Sequence, residues 1–304
     1  MLIGVSTPVI DRLGIDAGFS TIKAAGFEAL DFGLNTTWAQ LKAPGPLDFY
    51  SDDEKVKAYT EEIKTAAKKH GLAFGQFHAP FPTWIKDHER AIEKARLAVI
   101  KSIEVCAACG CDKIVVHPNV DGNFEHTLPA KEEWDLNIAF YSSLIPYLKR
   151  YGVTCCLENM FSVDMTTKKN YASSCSNMGE AVRYIDTLNE IAGEKRFGFC
   201  LDTGHLAILG GDLYRAIIEL GDRLVALHIH DNDGKDDQHS APYIGGIVIW
   251  ERFLRGLKEI GYTGNINFET GGALTRFPNE LLPSILKLIA DTGVYFRDQL
   301  LSKK

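Results

Sequence analysis

Short apolar runs alternate along the chain with longer segments whose apolar residues recur at three- and four-residue spacing. The first pattern predicts buried strands and the second amphipathic helices. The first run is Leu2–Ser6, and a helix follows near Asp16–Ala25. The second run, Phe27–Phe32, ends near Asp31 and opens a long loop, Gly33–Asp52. Helix Glu54–His70 leads to Leu72–His78, and a loop with Pro80, Phe81, Pro82 and Trp84 precedes helix Glu89–Cys109. Then come Lys113–His117, helix Ala130–Tyr151, and Val153–Glu158, whose loop runs to about Ser176. Helix Met178–Ala192 leads to Phe197–Asp202, and helix Leu213–Leu220 to Leu224–His230. A polar loop to Gly246, helix Trp250–Ile260, the run Asn265–Glu269 and a helix near Asn279–Leu300 complete the pattern.

Eight strands in strict alternation with eight helices call for parallel strands joined by helical crossovers. Eight such units point to a closed α/β structure, the (β/α)8 TIM barrel. No low-complexity linker divides residues 1–304, so the expectation is one domain. The alternative, an open doubly wound sheet, lacks its Gly-x-Gly-x-x-Gly after the first strand.

Composition narrows the function. Hydrophobic residues make up 45% of the 304, enough for a large core. A net charge of −7 argues against a high-affinity nucleic-acid surface. No apolar run of about 18 residues suggests a membrane span, and Met1–Ser6 has no basic leader region. Seven cysteines, most inside apolar runs, read as reduced core residues of a cytoplasmic protein. Cys106-x-x-Cys109-x-Cys111 has no second pair at finger spacing, so it reads as a buried helix end.

The chemistry lies at the strand ends. Arg196-Phe-Gly-Phe-Cys-Leu-Asp202-Thr-Gly-His205 is an apolar run that closes on a carboxylate, with an imidazole three residues on. By itself this reads equally as an Asp that caps the next helix and a His satisfied at the surface. The same grammar recurs, however. His78 ends the third run, His117 the fourth and Glu158 the fifth; His228 and His230 lie on the seventh, Asp237 and His239 in the next loop, and Glu269 ends the eighth. C-terminal strand ends face the active-site mouth of such a barrel. Mixed imidazole and carboxylate donors suit Zn²⁺, Mn²⁺, Co²⁺ or Fe²⁺. Carboxylates packed together without a cation would repel.

With these motifs the chain resembles the xylose-isomerase-like barrels, sugar-phosphate isomerases and epimerases that share a superfamily with endonuclease IV. The resemblance spans almost the whole chain. It is carried by Phe77-His78-Ala-Pro, Val116-His117-Pro, Leu157-Glu158-Asn, Leu201-Asp202-Thr-Gly-His205, Leu227-His228-Ile-His230-Asp-Asn, Asp237-Gln-His239, Gly261-Tyr-Thr-Gly264 and Phe268-Glu269. It implies that Glu158, Asp202, His228 and Glu269 hold one divalent ion: Mn²⁺, Zn²⁺, Co²⁺ or Mg²⁺. His230 would share a strand face with His228 and line the pocket. In endonuclease IV the ligands extend to positions matched by His78, His117, His205, Asp237 and His239, so up to three ions are implied. Where relatives read Pro-Gly-x-Gly-x-Ile, this chain reads Pro242-Tyr-Ile-Gly-Gly-Ile247, with Tyr243 at the first glycine.

The resemblance therefore implies a metal-dependent sugar or sugar-phosphate isomerase or epimerase that works through an enediolate. Glu158 and Glu269 would remove and return the proton, and His205 would orient a substrate oxygen. A keto-sugar lyase or dehydratase would use the same site. The competing class is an endonuclease IV-like phosphoesterase, which needs cationic loops to grip DNA. Lys168-Lys169 and the helix set Arg252, Arg255 and Lys258 are thin for that task, and Asp231, Asp233, Asp236 and Asp237 would crowd the mouth. A non-enzymatic sugar- or protein-binding barrel ranks last, since no ligand position is lost. Trp38, Trp84 and Tyr243 are expected to line the substrate site or to pack loops. The expected partner is a small sugar, with no nucleic acid and no membrane, in a chain suited to homo-oligomers.

Overall fold

The computed structural model describes residues 1–34, 48–120, 128–164 and 166–302. Trp38 and most of the Gly33–Asp52 loop lie outside them. The barrel strands are β1 (Ile3–Ser6), β2 (Ala29–Gly33), β3 (Ala73–His78), β4 (Lys113–Val115), β5 (Thr154–Glu158), β8 (Phe197–Asp202), β9 (Leu224–His228) and β10 (Ile266–Phe268). A hairpin, β6 (Phe161–Val163) and β7 (Asn170–Ala172), follows β5. The eight-stranded sheet runs in the order β10-β1-β2-β3-β4-β5-β8-β9. Ile229, just past β9, bridges Phe268 of β10 in parallel and so joins the two ends of that order. This is the (β/α)8 barrel.

The chain falls into two compact units. Residues 1–32, 63–75 and 200–304 form the first, and residues 33–62 and 76–199 the second. In the first, β1 pairs with β10 and β2 in parallel, with Val5 opposite both Phe268 and Leu30. Phe19, Phe27, Phe253, Phe268, Phe296 and Trp250 are buried there. In the second, β4 pairs with β3 and β5, and Tyr141, Leu144, Leu148, Val99 and Ile103 are buried on its helices. The strands are apolar on both faces, as a sheet covered on both sides requires.

Local chemistry sets the element ends. Asn177 caps helix Met178–Ala192 by accepting the Glu180 N–H, and Asp212 caps helix Leu213–Leu220. Gly152 and Gly193 stop two helices at φ 69° and 70°, backbone that glycine adopts without strain. Asn189 then ties its helix to the entry of β8, accepting the N–H groups of Arg196 and Phe197.

Several boundaries depart from the sequence pattern. β4 stops at Val115, β9 at His228 and β10 at Phe268. His117, His230 and Glu269 therefore stand just beyond their strands rather than on them, although single backbone bonds such as Glu269 N–H to the Ile229 carbonyl run past the strand ends. The loop after β5 carries the hairpin, nucleated where the Asp164 carboxylate accepts the N–H groups of Thr166 and Thr167. Short helices Thr203–Ile208 and Gly271–Arg276 add turns that no long apolar period announces. The last helix is a 3₁₀ turn, Asn279–Leu281, followed by Leu282–Leu301. The Cys106 segment is a buried helix end as expected, with both the Cys106 and Cys111 thiols directed at the Lys113 carbonyl.

Gly293 lies where the last helix packs on the sheet. A Cβ there would stand 2.5 Å from Ile3 Cγ2 and 2.9 Å from Phe268 Cε2. Gly293→Val is expected to cost about 1–3 kcal/mol of stability through overpacking. Chemical denaturation checks this as a lower midpoint at an unchanged slope.

Candidate active site

All six residues of β8 are buried, and Asp202 at its end has no solvent exposure. Asp202 Oδ1 accepts the His205 N–H at 2.7 Å and so caps helix Thr203–Ile208. Asp202 Oδ2 lies 2.9 Å from His230 Nε2. The capping reading of Asp202 is thus correct, but His205 is no surface residue, at 5% exposure. Thr203 Oγ1 locks the next strand end by donating to the His230 carbonyl at 2.7 Å. Gly204 is required for a steric reason: a Cβ there would sit 2.0 Å from Cε1 of the His230 ring. The Asp-Thr-Gly-His motif is one device that seats a carboxylate, an imidazole and a second imidazole from β9's end.

A histidine cluster surrounds Asp237. Its Oδ2 lies 3.3 Å from His205 Nε2 and 2.8 Å from His239 Nε2. The His239 and His230 rings stack at 4.0 Å, and the other His239 nitrogen, Nδ1, lies 2.9 Å from the Glu269 carbonyl oxygen. One ligand atom from each of His205, His230, Asp237 and His239 falls within 4.8 Å of the others. Burial works against the charge on Asp237, but the charge of His205 and the hydrogen bonds from His205 and His239 outweigh it and hold the carboxyl well below its usual range. Burial likewise opposes a charged His239, yet the Glu269 charge and the Asp237 hydrogen bond raise it to about 9.

The loop carrying Asp237 and His239 is anchored by a carboxylate that the sequence reading placed in an acidic mouth. Asp231 is buried instead. Its Oδ1 accepts the N–H groups of Asn232 and Val248, and its Oδ2 that of Trp250 Nε1. Gly246 presses on it so closely that a Cβ would lie 2.0 Å from the carboxyl carbon. Asn232 Nδ2 donates to the Gly204 carbonyl at 2.8 Å, which links this loop to the start of the Asp202 helix.

His228 has no exposure and sits between two carboxylates. Its Nδ1 lies 3.3 Å from Glu269 Oε2 and its Nε2 3.1 Å from Asp31 Oδ2. Asp31 was not among the expected site residues. It lies in the middle of β2, which runs on to Gly33, so the strand-ending carboxylate pattern of Asp202 does not single it out.

In the second unit, His78, His117 and Glu158 form another cluster. His117 Nε2 lies 2.9 Å from Glu158 Oε2 and 2.9 Å from His78 Nε2, while His78 Nδ1 lies 2.8 Å from the Ala79 carbonyl oxygen. Glu158 is 1% exposed, and one ligand atom from each of the three falls within 4.8 Å of the others. The Phe81 ring stands 4.7 Å from that of His117, and Trp84 is half-buried nearby in sequence.

Tyr243 adopts φ 65°, the left-handed region that explains the glycine expected there. Its half-exposed ring lies about 6 Å from those of Trp250 and Phe296 and 6.4 Å from that of Tyr295.

Residues 19–289 match the model of the xylose isomerase-like TIM barrels. The chain belongs to that family. A probable endonuclease 4 of Ureaplasma urealyticum is 23% identical over 300 residues, covering 90% of this chain and 83% of that protein. An uncharacterised protein of Methanocaldococcus jannaschii is 28% identical over 196 residues, 63% of this chain and 62% of that one. The chain spans less than two thirds of the curated relatives that it matches first. Among solved structures, a 3-keto-D-glucoside 4-epimerase from E. coli superposes with a TM-score of 0.70 at 20% identity, covering 98% of this chain and 99% of that one. A D-psicose 3-epimerase from Clostridium cellulolyticum H10 gives 0.70 at 17% identity, covering 97% and 99%. At such identities the structural likeness establishes the barrel fold that this family shares.

The Asp237 cluster sets the pH dependence expected of the protein in the absence of metal ions. The folded pKa of His239, about 9, lies above its ordinary 6.5. Its contribution to stability is therefore complete below about pH 6.5 and lost as pH rises through about 9. Asp237, held low, contributes above its ordinary 3.8 and loses that contribution on acidification. Thermal unfolding in the presence of a chelator should show a midpoint that falls from neutrality to above pH 9, with the alkaline fall reduced in His239→Asn.

Proposed function

We propose that the protein is a divalent-metal-dependent isomerase or epimerase of a sugar or sugar phosphate. The observation that carries this reading is the donor set: Glu158, Asp202 and His228 are 1%, 0% and 0% exposed, and Glu269 Oε2 lies 3.3 Å from His228 Nδ1. Three carboxylates and one imidazole form a mixed oxygen and nitrogen set that fits Mn²⁺, Co²⁺, Zn²⁺ or Mg²⁺. Buried carboxylates in such number are stable only with protons or cations to match them. Membership of the barrel family and the sugar epimerases among its structural neighbours support the same reading.

Glu158, Asp202, His228 and Glu269 would hold one ion. When bound, it supplies Lewis acidity to a sugar carbonyl and the hydroxyl beside it. The chain's own residues do the proton work. One of Glu158 and Glu269 removes the hydrogen from the carbon next to the carbonyl, and the other returns one to the resulting enediolate. His205 orients a substrate oxygen. His78 with His117, and His230, Asp237 and His239 around His205, would bind further substrate oxygens or up to two more ions.

A second reading, a metal-dependent phosphoesterase, draws on the endonuclease 4 relative and on the complete set of His and carboxylate positions. The net charge of −7 weighs against it.

Two experiments test the proposal. Asp202→Ala should remove the ion and the activity together, and full occupancy by metal analysis in that variant would refute the ligand set. Ketoses and keto-sugars are then screened with Mn²⁺ in D₂O. Deuterium is expected at the carbon beside the carbonyl, and Glu158→Gln should lower turnover by about 10²-fold or more while keeping the ion. Solvent oxygen on phosphorus, with no label on carbon, would instead establish the phosphoesterase.

A further inference from the structure

The His228 ring is held from both edges. On one side Nδ1 faces Glu269 Oε2 at 3.3 Å, and on the other Nε2 faces Asp31 Oδ2 at 3.1 Å. Asp31 stands opposite Ser6 in the β1–β2 ladder and is 2% exposed. It is thus a buried carboxylate on a strand, which fixes its backbone, and it is absent from the four-residue ligand set.

The chemistry of the pair is directional. A neutral imidazole carries one N–H and one lone pair, and a carboxylate can only accept. With the Asp31 carboxylate 3.1 Å from Nε2, its charge favours the hydrogen on that nitrogen. The lone pair is then left on Nδ1, the edge that faces Glu269. A hydrogen bond from the far edge of a ligating His to a carboxylate fixes the ring's tautomer and angle and raises the basicity of its ligating nitrogen.

We infer that Asp31 is a positioning residue for the ion proposed above, holding His228 so that Nδ1 presents its lone pair to the metal. This rests on the reading of Glu158, Asp202, His228 and Glu269 as an ion site. A wholly structural ion pair would look alike in the fold but would behave differently. It would change the stability of the metal-stripped protein and leave metal affinity alone.

The test is calorimetric titration of metal-stripped full-length protein with Mn²⁺ alone, for wild type, Asp31→Ala, Asp31→Asn and Asp202→Ala, beside thermal unfolding of each stripped form. Asp31→Ala should weaken Mn²⁺ binding by about 10- to 100-fold, as loss of such an outer partner does. Asp31→Asn keeps size and one accepting oxygen, so its affinity should fall between those of wild type and Asp31→Ala. Its stripped form should unfold close to the wild-type temperature. Should Asp31→Ala fail to fold, the affinity of Asp31→Asn decides. Wild-type affinity in the Asp31 variants, with binding abolished in Asp202→Ala, would overturn the positioning role and leave the ion site standing. Binding in Asp202→Ala equal to wild type, or none in wild type, would overturn the ion site and this inference with it.

Discussion

A carboxylate without solvent exposure, Asp202, closes a strand of six buried residues, and much of the surrounding structure answers to it. An uncompensated buried charge costs several kcal/mol, so both oxygens must be occupied. One takes the His205 N–H and thereby starts a helix; the other meets His230. Both duties place an imidazole nearby. The glycine between Thr203 and His205 follows from the same demand, because the His230 ring fills the space of a side chain there. Asn232 then grips the Gly204 carbonyl and brings in the loop that carries Asp237 and His239.

The same alternation of carboxylate and imidazole appears in three places. His228 lies between Asp31 and Glu269, Asp237 between His205 and His239, and Glu158 beside His117 and His78. In each, the donor atoms already converge and are held on strand ends or on a loop pinned by Asp231. Preorganisation of this kind is what a metal or a polar substrate needs, since a site assembled from mobile groups would lose the ordering cost from its binding energy. Against burial, the Glu269 charge and the Asp237 hydrogen bond raise His239, and the His205 charge holds Asp237 low, so the two groups hold each other charged.

Residues that share a chemical type take different roles according to their depth and neighbours. Asp231 and Asp233 are two positions apart. The first is a buried acceptor for backbone and indole N–H groups, and the second is an exposed turn residue that accepts the N–H groups of Lys235 and Asp236. Asp31 looks like the end of an apolar run, and only the fold brings His228 within 3.1 Å of it. Tyr243 stands where the family resemblance implies glycine and adopts the left-handed backbone that glycine favours, with its ring set among Trp250, Tyr295 and Phe296.

The eight-fold alternation, the parallel barrel and most donor positions were legible in the sequence, because the strand and helix periods differ and because a carboxylate or imidazole ending an apolar run is chemically conspicuous. The partners were not. The strand ends at Val115, His228 and Phe268, the hairpin after Glu158 and the short helix after Asp202 depend on where ladders stop and which N–H groups remain to be capped. That Asp31 meets His228, that Asp231 serves its own loop, and that His230 rather than solvent meets Asp202 depends on contacts that the local pattern of the chain does not encode. Local patterning sets which faces of the elements are apolar and which groups can titrate or ligate. Only the folded arrangement decides which of those groups meet, because a hydrogen bond is made across about 3 Å of space and not along the chain.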